Sequence, residues 1–96
     1  MTTNSTHLVL CKRHWPSMLS FVAPGDDLIL GGDALFCALT DPDLPALLSH
    51  LQVRRAWCLA LDAETAGLTV PEGLIALDDD AWASAIVECN GSLIQW

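Results

Sequence analysis

The side chains of this chain best suited to chemistry are its four cysteines, three histidines and nine aspartates. A cysteine can carry sulfur or a redox equivalent, or bind a metal, and the first question is whether the spacing makes any of these chemistries available. Cys11, Cys37, Cys58 and Cys89 form no C-x-x-C pair, and His7, Cys11 and His14 share only a loose spacing. A strand through this region would place His7 and Cys11 on one face, which gives at most a two-ligand fragment; no metal and no cofactor is predicted. Cys11 and Cys58 fall in apolar runs and Cys89 on an apolar helical stripe, so all three read as small core residues. Cys37 falls nearly opposite Leu35, Phe36 and Leu39 at about 100° per residue, and it is expected to be the exposed thiol. Exposure alone does not activate a thiol, so Cys37 is a weak candidate for a sulfur carrier.

The acids follow a different pattern. Asp33, Asp62 and the run Asp78-Asp79-Asp80 each lie just past an apolar stretch and just before a helical one. Carboxylates gathered at one sheet edge could hold Mg²⁺. The same positions are those at which an aspartate caps free N–H groups and complements a helix dipole, and capping is the preferred reading. Neither a Gly-rich phosphate loop nor a nucleophile elbow accompanies them.

These residues need elements to position them. His7–Cys11, Asp27–Leu30, Ala56–Leu61, Leu74–Leu77 and Ser92–Gln95 read as five short strands, each a continuous apolar run. Helical stretches lie between them. Pro16 opens one that Pro24-Gly25 closes, and Asp33 is placed to cap a second over Ala34–Leu39. Leu44, Leu47, Leu48 and Leu51 mark a third by their i, i+3, i+4, i+7 spacing, with His50 on the solvated side. Asp62 to Gly67 forms a fourth, and a fifth runs from about Asp80 to Glu88 with Trp82, Ile86 and Cys89 on one face. Asn90-Gly91 ends it. Strands without internal alternation, separated by helices, predict an α/β fold. It is a single three-layer α/β/α domain over residues 1–96, with a mostly parallel five-stranded sheet covered on both faces.

Composition limits what such a domain does. The chain is 52% hydrophobic and 17% charged, too few charges to cover a surface expected to be on the order of 5,400 Å². Part of that surface is therefore apolar, which predicts an oligomer subunit. The net charge of −8 leaves Lys12-Arg13 and Arg54-Arg55 as two isolated basic pairs. That excludes the basic stripe that direct nucleic-acid binding uses. No run of about 18 apolar residues is present to span a membrane, and the first residues have no basic region followed by an apolar one. A cytoplasmic protein with free thiols is expected. The sequence stops on Ile94-Gln95-Trp96, an apolar tail expected either to tuck into the sheet or to dock on a partner.

Several stretches in order resemble the DsrH/TusB family, small subunits of the DsrEFH and TusBCD sulfur-relay complexes. They are the His-Leu of the first strand; His14-Trp15-Pro16; Gly25-Asp26-Asp27-Leu28-Ile29-Leu30 leading into Asp33-Ala34-Leu35; Leu61-Asp62 with Ala66-Gly67-Leu68; and the tail Leu77-Asp78, Trp82, Gln95-Trp96. The resemblance implies a DsrEFH-like fold and a cytoplasmic heterohexamer with TusC/DsrF-like and TusD/DsrE-like subunits. That assembly passes persulfide sulfur to a TusE/DsrC-like acceptor, for 2-thiolation of the tRNA wobble uridine or within dissimilatory sulfur oxidation. It also implies that the principal sulfur-carrying cysteine belongs to the DsrE/TusD partner. Some DsrH members carry a cysteine in the first helix; Met18 stands at that position here, which leans toward the tRNA branch and a non-catalytic role. Trp15, Asp33, Trp82 and Trp96 become candidate interface residues. A small Mg²⁺-dependent α/β enzyme using Asp33 and Asp78–Asp80 is the competing expectation.

Overall fold

The computed structural model describes residues 4–71, 73–88 and 93–96. Within them, five strands form one sheet: β1 (Thr6–Val9), β2 (Asp27–Leu30), β3 (Arg55–Leu59), β4 (Ile75–Leu77) and β5 (Leu93–Gln95). Their order is β4-β3-β2-β1-β5, and every neighbouring pair is parallel. A 3-10 turn (Lys12–His14) leads into α1 (Trp15–Leu19), followed along the chain by α2 (Gly32–Leu39), α3 (Leu44–Leu51), α4 (Ala60–Ala66) and α5 (Asp79–Glu88). The expected α/β domain with a parallel five-stranded sheet is what forms.

Strand order determines which face each helix covers. From β1 to β4 the chain steps one strand at a time in one direction, so right-handed crossovers keep α1 to α4 on one face. The connection from β4 to β5 runs back past three strands and places α5 on the other. The two hydrophobic clusters follow this division. Val9, Leu28, Leu30, Ala56 and Cys58 meet Trp15, Met18, Ala34, Leu35, Ala38, Leu44, Leu48 and Ala63 on the first face. Leu8, Ile29 and Trp57 meet Ala85 on the second, with Leu77, Trp82, Ile86 and Leu93 packed around them. Both faces are covered, but unequally: one helix serves a face that four share on the other side.

Several local expectations shift. β1 ends at Val9, so Cys11 lies beyond the strand, half-buried at the start of the 3-10 turn, and is not a core residue paired in phase with His7. α2 begins at Gly32 with Gly31 at its N-cap, so Asp33 falls in the first turn rather than at the cap. α2 also turns a different face inward. Ala34, Leu35 and Ala38 are buried, Phe36 is 51% exposed, and Cys37 is half-buried against the core. Cys37 is therefore not the exposed thiol. The cause is local: six consecutive apolar residues, Ala34 to Leu39, leave the helix no polar side by which to set its phase. α3 keeps its expected stripe, with Leu44 and Leu48 buried, Leu47 and Leu51 half-buried and His50 outside. α4 starts at Ala60, before Asp62, and ends at Gly67 in the left-handed region as expected. Cys89, Asn90-Gly91 and Ser92, assigned from sequence to the end of the fifth helix, a turn and a strand start, lie outside the described residues.

Candidate functional site at the carboxyl edge of the sheet

In open α/β sheets, ligands bind beyond the carboxyl ends of strands where successive connections depart to opposite faces. Here that point lies between β3 and β4, because β3 leads into α4 on one face and β4 into α5 on the other. An open cleft of about 500 Å³ sits there, lined by Ala60, Leu61 and Glu64 of α4 and by Asp78, Asp79 and Asp80 around the start of α5. Its polar lining consists of carboxylates. Among the described residues that line it there is no cysteine, serine, histidine or lysine, and its charge favours a cationic group over an anionic one.

Three of the aspartates at this edge, Asp33, Asp62 and Asp78, are already engaged. Asp78 Oδ1 accepts the Ala81 N–H at 2.8 Å, an N-terminal cap on α5. Asp62 Oδ2 accepts the Gly32 N–H at 2.7 Å, tying α4 to the start of α2. Asp33 Oδ1 accepts the Lys12 N–H at 2.7 Å, so it holds the turn after β1 instead of capping its own helix. Asp78 thus caps the helix it precedes, as the capping reading expects, whereas Asp62 lies inside α4 and instead satisfies a backbone donor at the start of α2. Among the described residues, no three His, Cys, Asp or Glu side chains converge to hold a metal ion. Asp33 and Asp78–Asp80 are not brought together as the Mg²⁺ enzyme requires.

These ties depend on two glycines. Gly32 has φ +58°, and a Cβ there would lie 2.5 Å from the Leu10 carbonyl oxygen. A Cβ on Gly31 would meet the Leu10 side chain at 2.9 Å, the Trp82 ring at 3.1 Å and Asp62 Oδ2 at 3.2 Å. β1, α2, α4 and α5 approach one another here because residues 31 and 32 have no side chain. Gly31 and Gly32, between β2 and the body of α2, are thus the point where these elements meet.

Cys58 is not an activated thiol. Cys58 is fully buried, and burial, with Asp62 nearby, pushes its thiol up to about 11. Cys11 and Cys37 are half-buried. Of the candidate interface residues, Trp15 is only 6% exposed and belongs to the core, not to a surface. Trp82 is half-buried between α5 and the sheet, while Asp33 is exposed but tied to Lys12. Trp96 packs inside the domain, against the first-face core.

Sequence reasoning missed two clusters. His7, 1% exposed, places Nε2 3.0 Å from Asp26 Oδ2 and accepts the Trp96 Nε1–H on Nδ1 at 3.1 Å. Asp26 also accepts the Ser5 N–H at 3.0 Å and the Ala23 N–H at 2.9 Å. Burial would raise the Asp26 carboxyl, but these backbone donors and the His7 ring outweigh it and hold the group below its ordinary value. On the opposite face Asp27 binds Arg54 through Nε at 3.1 Å and Nη2 at 2.6 Å, and Arg55 Nη2 at 3.0 Å. Burial opposes ionisation of Asp27 as well, yet the two guanidinium groups hold its carboxyl low. Arg55 in turn lies 4.5 Å over the Trp57 ring. Both basic residues of this pair therefore serve an internal carboxylate. A signal was present: a histidine inside an apolar strand, and two aspartates opening another, are buried polar groups that must find partners.

Comparison with protein-family models and with curated proteins returns no match to this chain. No helix of the described residues is long and apolar enough to cross a membrane.

Proposed function

We propose that this chain is a non-catalytic subunit of a TusBCD-like sulfur-relay complex, supporting persulfide transfer for 2-thiolation of the tRNA wobble uridine. The reading begins from the ordered resemblance to the DsrH/TusB family, and the parallel α/β fold is compatible with it. The observation that carries the subunit role is apolar surface: Phe21, Leu61 and Val87 are 67%, 55% and 72% exposed, and Phe36 and Ile75 each 51%. Large apolar side chains left in water on so small a domain are what a subunit covers with its partners. Cys58 supports the passive half of the proposal. A buried thiol held near 11 is a poor sulfur carrier, and the sulfur is carried instead by a TusD/DsrE-like partner.

The test is purification of the tagged chain from its native host. The expected outcome is a complex containing two further small α/β chains, one with an exposed loop cysteine, and loss of tRNA 2-thiouridine when this chain is deleted. Migration as a free 10.3 kDa monomer with both partners present would sink the proposal. Intact 2-thiouridine alongside impaired sulfur oxidation would move the chain to the DsrH-type role. Persulfide loading that Cys37→Ser abolishes would make Cys37 an accessory carrier and end the passive reading.

A further inference from the structure

Away from the cleft, the buried chain Asp26–His7–Trp96 has a property that packing alone does not require. An indole N–H only donates, so His7 Nδ1, which accepts it, carries no proton. The imidazole is then neutral with its proton on Nε2, which donates to Asp26 Oδ2. A second proton has one place to go, Nδ1. There it would face the Trp96 N–H across 3.1 Å, donor against donor. Asp26 cannot move to compensate, because the N–H groups of Ser5 and Ala23 hold both of its oxygens. Protonation therefore strengthens one neighbour of His7 and expels the other.

Among the described residues, the elements that pack on β1 bring one carboxylate to the ring. β1 packs against β2, β5 and α1. α1 (Trp15–Leu19) and β5 (Leu93–Gln95) contain no titratable side chain. β2 contributes Asp27, which binds Arg54 and Arg55 instead of His7. Asp26, just before β2, is the carboxylate that faces the ring.

Trp96 is held by little else that is polar. Its backbone N–H donates to the Leu8 carbonyl at 3.0 Å. Its ring stacks on His7 at 6.1 Å between centroids and tilts against Phe21 at 5.4 Å. Phe21 and Ile94, at 67% and 40% exposure, already form the outer part of this corner. Release of the indole would uncover His7 and leave the apolar corner beside β5 open.

We propose that His7 is a proton-operated latch on Trp96: neutral His7 holds the indole against the sheet, and protonated His7 lets it go while the rest of the fold stands. Histidine is the side chain whose charge changes between about pH 5 and 8, the range in which such a latch is useful. The proposal is independent of the sulfur-relay reading.

The experiment is an NMR titration of the intact ¹⁵N-labelled chain, following the His7 ring nitrogens and the Trp96 indole N–H, the latter assigned with Trp96→Phe. At neutral pH His7 should be the Nε2–H tautomer. On acidification the Trp96 indole signal should shift with the same midpoint as the His7 ring, and hydrogen-exchange protection of the Trp96 backbone amide should fall in step. Trp96→Phe removes the competitor for Nδ1 and should raise the His7 midpoint. An Nδ1–H tautomer overturns the proposal, as does an indole signal indifferent to the His7 titration or a midpoint unchanged or lowered in the variant. Unfolding before His7 titrates also overturns it, because a latch must open within an intact fold. Should Trp96→Phe fail to fold, the wild-type titration decides alone.

Discussion

At the scale of single residues, Gly32 and Cys58 make the firmest demands. Gly32 combines a left-handed backbone with a carbonyl oxygen 2.5 Å from where a Cβ would sit. Gly32→Ala should lower the unfolding free energy by on the order of 1–3 kcal/mol, the usual cost of forcing a side chain into such a conformation, read from urea denaturation. Cys58, buried between strands and helices with its thiol near 11, should resist alkylation in the native state. Cys11 and Cys37, both half-buried, should label before Cys58, and mass spectrometry of time-quenched samples gives the order. Labelling of Cys58 at their rate would show that the core opens locally.

Among the elements, α2 and α3 show why part of the fold is legible in the sequence and part is not. α3 has leucines at helical spacing separated by Ser49 and His50, so polar residues set its phase and the inward face can be read directly. α2 runs Ala34-Leu35-Phe36-Cys37-Ala38-Leu39 with no polar residue to mark an outside. Its rotation is settled by what it meets, the 3-10 turn and α4, and no periodicity count contains that information. The loop at the start of β2 has the opposite character, since its two adjacent aspartates point to opposite faces and each is fully committed there. Both carboxyls are held below their ordinary 3.8. Each therefore contributes stability that is present above that value and is lost as pH falls through it toward the lower folded-state value. Asp27→Asn should reduce stability at neutral pH and flatten its decline in acid, measured as denaturation midpoints along a pH series. The arginines that bind Asp27 are partly exposed, so added salt should shrink the neutral-pH loss without abolishing it.

For the whole molecule, continuous apolar strands separated by helices were enough to give a parallel sheet, whereas the order of its strands was not in the sequence. That order decides the rest. It leaves the second face to α5 and opens the acidic cleft between α4 and α5. It also sets β5 beside β1, where Trp96 meets His7 across 89 positions of sequence. The aspartates at the carboxyl edge were recognisable because each lies at or near the start of a helix. The Asp26–His7–Trp96 chain was not, because no local pattern joins residues so far apart. Apolar surface predicted from composition is present, and a charged substitution such as Val87→Asp, at 72% exposure, should leave the chain folded while weakening co-purification of any partner that covers α5. Unchanged co-purification would place the interface elsewhere.

The pairing of β1 with β5 also has a mechanical consequence. The strands are neighbours, run in the same direction, and belong to opposite ends of the described chain. Tension applied through residues 6 and 96 would pull β1 by its leading end and β5 by its trailing end. The ladder between them, including the Trp96 N–H bond to Leu8, would then be sheared as a unit and not unzipped bond by bond. A domain of modest thermodynamic stability can in this way give a high rupture force in an atomic-force experiment, and the same domain pulled through β4 and β3 would peel apart at a lower one if that pair were loaded as a zipper.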